Sequence, residues 1–160
     1  IPVRLFRMIA TPPTPPETML FEANYSDGKR YRAFYDGVNS NLTSSIAKPS
    51  GYSYNKMQNA IITDVVTSID GFAFEGCTFT SVTIGNSVTT IAQRAFRYCN
   101  KLVSITITAK TPPSIAYESF LDTNNCIVYV PAESLSAYMA AWDNGKRGSV
   151  SSSRIRAIPT

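Results

Sequence analysis

Carboxylates are the main side chains with which this chain could do acid–base chemistry, because its 160 residues include no histidine. The lack of histidine excludes Ser-His and Cys-His nucleophilic pairs and removes the commonest general base. Two carboxylates at a suitable distance could still hydrolyse a glycosidic bond. The candidates for such a pair are Asp64, Asp70, Glu75, Glu118, Asp122 and Glu133.

Two of these carboxylates align with arginines in the sequence repeats described below. Glu75 precedes Arg97 by 22 residues, and Arg94 precedes Glu118 by 24 residues. The alignment favours ion pairs between neighbouring repeats over a catalytic pair, so we predict that the chain is not an enzyme. A cluster of Arg94, Arg97, Tyr98 and Lys101 also has the composition of a binding hot spot. The alternative is that both arginines form ion pairs with Glu75 and Glu118 and do not bind a partner.

Metal and cofactor binding find no support in the spacing of ligand-type residues. The sequence has no Cys-x-x-Cys pair, no Asp-x-Asp-x-Asp loop and no Asp-bearing nonapeptide repeat. Cys77 and Cys99 hold equivalent positions in successive repeats, roughly 4.8 Å apart if adjacent strands carry them. That distance permits a disulfide, but parallel side chains suit its twisted geometry poorly. We favour a buried ladder, with Cys126 as a further core residue, and predict neither metal nor cofactor.

The charge distribution argues against nucleic acid as a partner. The net charge is +4, from 15 basic and 11 acidic residues, and the basic residues collect near both ends without a run of five. A nucleic-acid site needs a contiguous basic stripe. Charged residues make up only 16% of the chain, and Thr, Ser and Asn supply the polarity, as is common on β-rich extracellular proteins. The sequence has no apolar run of 18 residues, so it predicts no membrane span.

An internal repeat positions all of these side chains. One pattern occurs over residues 64–77, again over residues 86–99, and in worn form over residues 113–123. Repetition at a fixed period is the signature of a solenoid, in which each unit completes its core against its neighbours. The third copy has Ser119 in place of Ala and Thr123 in place of Cys, and such decay is typical of a repeat beside a cap.

A short alternating strand recurs once per repeat, at residues 60–62, 82–84, 105–107 and 128–130. Alternation places every second aliphatic side chain inside and the others on an outward face. This outward face is the first candidate for a binding surface, and an ordinary solvated β face is the alternative. Its predicted binding residues are Ser81, Thr83, Ser104, Thr106 and Tyr129.

A second ladder of apolar residues recurs at offsets of 22 and 24 and ends in a phenylalanine. One stacked ring per coil would fill the hollow between the two sides of the solenoid. The predicted structural core is Phe74, Phe96, Phe120, Ile69, Ile91, Ile115, Cys77 and Cys99.

Both ends of the array carry a predicted cap. At the start, an Asp-Gly turn between residues 20–25 and 30–35 indicates a β-hairpin, and residues 36–56 read as loop or irregular strand. At the end, an amphipathic helix with Pro131 in its first turn is followed by a last strand. The predicted organisation is a Pro-rich linker from an upstream region (1–19), a hairpin cap with its loop (20–56), repeats (57–130), and a capping helix and strand (131–160).

The phrase V-T-[ST]-I-x-x-x-A-F-x-x-C, followed by L-x-S-[VI]-T-I, occurs over residues 66–84 and 88–107, with Phe79 for Leu in the first copy. It resembles the BspA-like leucine-rich repeat family of bacterial cell-surface proteins, and residues 125–134 are similar to the segment that closes such arrays. The resemblance implies export to the surface of anaerobic Gram-negative bacteria, adhesion to host matrix or other bacteria, and no enzymatic activity.

We therefore predict a β-rich leucine-rich-repeat solenoid, a short α+β array of right-handed coils with an N-terminal β-hairpin cap and a C-terminal helix cap. Its predicted function is non-enzymatic, adhesin-like binding of a host or bacterial surface protein or glycan. The alternative is a structural spacer or tip module that presents an upstream domain and has no ligand. We expect an extracellular or outer-surface location on a Gram-negative bacterium, with the signal or anchor outside this fragment. The sequence makes no prediction of oligomeric state.

Overall fold

The structure is a computed structural model that describes residues 18–160, so the predicted linker lies outside the described residues except for its last two. The described part contains eleven strands and two short α-helices. They are β1 (Met19–Tyr25), β2 (Arg30–Phe34), β3 (Asn41–Leu42), α1 (Ser44–Ala47), β4 (Met57–Ile62), β5 (Ser68–Ile69), β6 (Ser81–Ile84), β7 (Thr90–Ile91), β8 (Ser104–Ile107), β9 (Ser114–Ile115), β10 (Ile127–Val130), α2 (Leu135–Trp142) and β11 (Ile155–Ala157).

Each repeat contributes one strand to a large sheet of seven strands, in the order β11-β10-β8-β6-β4-β1-β2. The strands β4, β6, β8 and β10 pair in parallel and in register with the repeat, so that Ala60 lies beside Val82 and Val82 beside Ile105. This register stacks the inward aliphatic side chains as the alternation predicts. They are at most 2% exposed: Ala60, Ile62, Val82, Ile84, Ile105, Ile107, Val128 and Val130.

A small sheet in the order β3-β5-β7-β9 follows a second side of the coils. After each of its strands β5, β7 and β9 the chain makes a turn segment, at residues 70–77, 92–99 and 116–123. Backbone N–H groups of one turn segment donate to carbonyls of the next coil, so this side is also hydrogen-bonded from coil to coil. The bonds are Phe72 to Gln93, Phe74 to Ala95, Gly76 to Arg97, Arg94 to Tyr117, Phe96 to Ser119 and Tyr98 to Leu121.

A column of phenylalanines fills the space between the sides of the coils. The rings of Phe74 and Phe96 stack with centroids 5.2 Å apart, and those of Phe96 and Phe120 stack at 5.3 Å. Phe79 packs edge-on against Phe74 at 5.6 Å. All four rings are at most 2% exposed. Because adjacent coils share each stacked pair, no coil can complete this core alone.

The hairpin of β1 and β2 extends the large sheet beyond β4. The two strands pair with each other and β1 pairs with β4, both antiparallel, with Ala23 opposite Ala60. Gly28 in the connecting turn has a φ of +85°, which a residue without a Cβ adopts at little cost.

Helix α2 and strand β11 cover the other end of the array. Trp142 packs on Phe120 with centroids 5.1 Å apart, and its Nε1–H donates to the Pro113 carbonyl at 2.9 Å. Tyr138 Oη donates to the Ala109 carbonyl at 2.7 Å. Strand β11 pairs in parallel with β10. The side chains of α2 thus satisfy carbonyls of the last coil that no further coil can reach.

Three expectations need correction. Residues 36–56, predicted as loop or irregular strand, contain the two-residue strand β3 but also helix α1. Leu42 pairs with Ile69 in the small sheet, so that a coil precedes the predicted repeats. Pro131 has a ψ of 136° and precedes a 3₁₀ turn, and α2 begins only at Leu135. Ile115 is half-buried rather than fully buried, since it lies next to the last turn segment.

The cysteines are free and buried, with no disulfide among the described residues. Cys99 Sγ donates to the Phe74 carbonyl of the preceding coil at 3.0 Å. Burial raises the pKa of Cys77 to about 12, so the thiol stays neutral. These contacts agree with a ladder of small buried side chains.

Candidate interaction surfaces

The outward side chains of the large sheet form two straight rows, which we call the outer sheet face. Register between strands places each member directly beside the next. The first row is Arg32, Glu22, Ile61, Thr83, Thr106, Tyr129 and Arg156, and the second is Arg30, Asn24, Asn59, Ser81, Ser104 and Ile127. The predicted binding residues Ser81, Thr83, Ser104, Thr106 and Tyr129 all lie in these rows.

Hydrogen bonds fix the hairpin end of the outer sheet face. Asn24 Nδ2 donates to Asn59 Oδ1 at 2.8 Å, and Arg30 Nε donates to Asn24 Oδ1 at 3.2 Å. Arg32 Nε donates to Glu22 Oε2 at 2.6 Å. Ile61, next in the row, is 40% exposed. This end therefore presents ordered polar side chains next to one exposed aliphatic residue.

The turn segments carry the second surface, which we call the turn face. It consists of Phe72, Glu75, Arg94, Arg97, Tyr98, Tyr117, Glu118 and Arg147. Its charged members come from neighbouring coils, and the ion pairs that the offsets predict are present: Arg97 Nη2 is 3.0 Å from Glu75 Oε2, and Arg94 Nε is 2.7 Å from Glu118 Oε2.

Glu118 is the centre of the turn face. Its Oε2 also accepts from Arg97 Nη1 at 3.0 Å, and its Oε1 lies 2.8 Å from Arg147 Nε. The side chain is only 4% exposed. Burial alone would raise the pKa of Glu118, but its interactions with Arg94, Tyr117 and Arg97 outweigh burial and hold the pKa below its ordinary value. One carboxylate therefore joins two arginines of the preceding coil to one arginine of the cap.

Aromatic rings flank these arginines. The guanidinium of Arg94 lies between the Phe72 ring, at 5.6 Å, and the Tyr117 ring, at 5.8 Å, and that of Arg97 lies 4.7 Å from the Tyr98 ring. These distances are typical of cation–π contacts. The rings remain 44–52% exposed, so they present apolar area to the outside.

Several of these side chains stand on left-handed backbone. The φ angles are 61° at Phe72, 58° at Arg94 and 61° at Tyr98, and the next coils continue the pattern. Left-handed backbone costs a bulky residue roughly 1–2 kcal/mol. Glycine takes the position of Tyr98 in the preceding coil, as Gly76, again with a positive φ. The chain therefore keeps large side chains where glycine would cost less.

The clefts give no support to a carboxylate pair. Four of the best-formed clefts in the described part of the chain are each lined by at most one carboxylate. The one nearest the turn face has a volume of about 200 Å³ and is lined by Tyr117, Asn144, Lys146, Arg147 and Ser149 above Ile115 and Ala116. No three His, Cys, Asp or Glu side chains within residues 18–160 could hold a metal ion together.

The two predicted sets of binding residues belong to different surfaces. Ser81 and its row partners stand on the large sheet, whereas Arg94, Arg97 and Tyr98 stand on the turn segments. Sequence reasoning missed Phe72, Tyr117 and Arg147. The two aromatic residues lie at positions where the repeated phrase has no fixed residue type, so only their place beside Arg94 marks them.

Comparison with known proteins identifies one family. The family described as "BspA type Leucine rich repeat region" matches residues 39–141 in six copies, which is more than half of the chain. The match begins two residues before β3, in agreement with the coil that the structure places before the predicted repeats. No curated protein and no solved structure shows significant similarity. Within the described residues, no helix has the length and apolarity to cross a membrane.

Proposed function

The chain belongs to the BspA-type leucine-rich repeat family, and on that premise we propose that it is a non-enzymatic module that binds other proteins on a bacterial surface. Repeats of this family are generally protein-interaction modules and typically occur in bacterial surface proteins. We propose further that the partner is a surface protein of a host or of another bacterium, that binding serves adhesion, and that the module is displayed outside a Gram-negative cell.

The continuity of the outer sheet face carries this proposal. Seven strands at roughly 4.8 Å spacing give a face about 29 Å wide. A standard protein interface buries about 800 Å² on each partner, and the two rows can contribute much of that area. Backbone groups within the sheet are paired with neighbouring strands, so recognition would rest on side chains spread over several coils rather than on a pocket.

The side chains of the outer sheet face suit a protein partner. Thr83 and Thr106 offer hydroxyl groups in the middle of the row. Tyr129 offers an aromatic ring near one end, with Arg156 beside it, and tyrosine and arginine are enriched among residues that dominate protein binding. Ile61 adds exposed aliphatic area on the other side of the threonines. Contacts of this kind are individually modest, so we expect affinity to depend on several of them together.

The experiment compares the wild type with the triple variant Thr83→Glu/Thr106→Glu/Tyr129→Glu. Both are screened against immobilised host matrix proteins, bacterial surface extracts and a glycan array. The control is Thr90→Glu/Ser114→Glu, which places like charges on adjacent strands of the small sheet and so introduces the same kind of repulsion elsewhere. Circular dichroism and thermal unfolding establish that all three proteins are folded.

A saturable protein partner that is lost in the triple variant and kept in the control supports the proposal. A partner that the folded triple variant binds with unchanged affinity contradicts the assignment of the outer sheet face. A glycan as the sole saturable ligand contradicts the assignment of a protein partner. No ligand for a folded wild type would favour the alternative function, a rigid spacer or tip that presents an upstream domain.

A further inference from the structure

We propose that the turn face is a second interaction surface, separate from the outer sheet face, and that it binds an acidic segment of a protein. This inference goes beyond the proposed function, because it assigns another surface and the chemistry of its partner. It rests on the charge, the open donors, the exposed rings and the adjacent cleft of this face.

The turn face carries excess positive charge. Arg94, Arg97 and Arg147 outnumber Glu75 and Glu118, and Lys146 immediately precedes Arg147 in the cap loop. Glu118 is buried beneath the arginines and is shared by all three. A partner that approaches from outside therefore meets the guanidinium groups of Arg94 and Arg147 before it reaches Glu118, whereas Arg97 is the least exposed of the three arginines and Glu75 beside it stays partly exposed. Such an arrangement is complementary to negative charge.

Two of the arginines keep donors for a partner. Arg94 and Arg147 both contact Glu118 through Nε, and within the described residues their terminal η nitrogens have no hydrogen-bond acceptor. The guanidinium presents its donors in a planar fork that matches the two oxygens of a carboxylate. The ion pairs with Glu118 fix these forks in position, so less side-chain entropy is lost when a second carboxylate binds.

The rings make the surface suitable for a protein. Phe72, Tyr98 and Tyr117 are 44–52% exposed and alternate with the arginines across three coils. Arginine and aromatic residues are the types most enriched at the energetic centre of protein interfaces. An acidic peptide with hydrophobic or aromatic side chains can cover the Phe72 ring while its carboxylates face the arginines.

The cleft at the cap end gives one carboxylate a defined place. Its volume of about 200 Å³ is sufficient for an aspartate or glutamate side chain. Lys146 and Arg147 line it from the cap, and Tyr117 lines it from the last turn segment. Ser149 adds a hydroxyl group. An acidic side chain in this cleft would be anchored while the rest of the segment crosses the rings toward Phe72.

The first test uses two synthetic polymers, poly-glutamate and a glutamate–tyrosine copolymer, with heparin as an acidic glycan. Binding to the wild type and to Lys146→Ala/Arg147→Gln is measured by biolayer interferometry. The control is Lys29→Ala/Lys110→Ala, which removes the same charge from the hairpin turn and from an exposed ion pair. We expect at least a tenfold loss of affinity for both polymers in the first variant and little change in the control. Equal losses in the two variants would overturn the proposal.

The second test asks whether the rings take part. The variant Phe72→Gly/Tyr98→Gly removes two rings, and glycine accepts the left-handed backbone at both positions, so the fold should be retained. The wild type should bind the copolymer more tightly than poly-glutamate, and the variant, which keeps only the Tyr117 ring, should lose most of that preference. An undiminished preference for the copolymer in the variant would refute the role of Phe72 and Tyr98. Binding of heparin without binding of either polymer would assign the face to a glycan and overturn the proposal.

The triple variant of the outer sheet face separates this proposal from the proposed function. It leaves every turn-face residue in place and should bind the copolymer as the wild type does. Loss of copolymer binding in that folded variant would move the acidic site to the large sheet and contradict the inference.

Discussion

Replacement of Phe96 by alanine tests the stacked core directly. Phe96 is 0% exposed, and its ring stacks on Phe74 at 5.2 Å and on Phe120 at 5.3 Å. Truncation removes about 1.5–3 kcal/mol of transfer free energy and two ring contacts of about 0.5–1.5 kcal/mol each. We therefore expect the free energy of unfolding to fall by about 4 kcal/mol, which lies in the range for truncation of a buried phenylalanine.

Equilibrium unfolding in urea, followed by circular dichroism, measures this change. The matched control is Phe72→Ala, which makes the same chemical substitution at a ring that is 44% exposed and stands outside the column. It should change the free energy of unfolding by about 1 kcal/mol or less. The slope of the free energy of unfolding against urea concentration should be the same in both variants if the coils unfold as one unit.

A loss below about 1 kcal/mol for Phe96→Ala would refute the reasoning, since no well-packed core accepts such a cavity at so little cost. A loss for Phe72→Ala equal to that for Phe96→Ala would also contradict it, because the exposed ring would then contribute as much as the central one.

Three further predictions concern the cap, the hairpin and the thiols. Gly148→Ala should lower the free energy of unfolding by about 2 kcal/mol or more, because Gly148 has a φ of +80° and an added Cβ would lie 2.4 Å from Glu118 Cα; an unchanged Tm would contradict this close approach. Tyr25→Phe should raise stability by about 1 kcal/mol, since the buried Tyr25 Oη has no hydrogen-bond partner among the described residues. Burial also raises the pKa of Tyr25 to about 12, above the value of about 10 in the unfolded chain. The wild type should therefore keep its full stability below about pH 10 and lose it progressively above that pH. Urea titrations at several pH values should show that Tyr25→Phe removes part of this loss, and identical pH profiles of the two proteins would disprove the assignment. The three cysteines should react with Ellman's reagent only after denaturation, because they are buried and burial raises the pKa of Cys77 to about 12; rapid labelling of the native protein would show that the ladder is open.

The large sheet could be predicted because its inner residues recur at an almost constant interval. Ala60, Val82 and Ile105 lie side by side, as the offsets require. The first coil could not be predicted in the same way. Asn41 contacts Ser68 across 27 residues of sequence, whereas Thr67 and Thr89 in the next pair of coils are 22 residues apart. Extra residues, partly folded as α1, put this coil out of period.

The turn face could be predicted only in part. The offsets identified the pairs of Arg97 with Glu75 and of Arg94 with Glu118, and both are present. Arg147 comes from the loop after α2, beyond the last repeat, so no offset could place it beside Glu118. The left-handed backbone at Phe72 and Tyr98 could not be predicted from the residue types. Glycine, asparagine and aspartate are the residues that favour this conformation, and a phenylalanine or tyrosine does not indicate it.

The coil-to-coil hydrogen bonds of the turn segments give the array a direction. Each N–H donates toward the C-terminal neighbour, and the last donors, on Glu118 and Phe120, are met by the carbonyls of Arg147 and Gly148. One complete coil can therefore be gained or lost without disturbing the ends, whereas an insertion within a turn segment would leave donors without acceptors. Each added coil would lengthen both surfaces by the same step of roughly 4.8 Å. The lengths of the outer sheet face and of the turn face therefore change together, and natural variants with more or fewer coils should differ in both lengths in proportion.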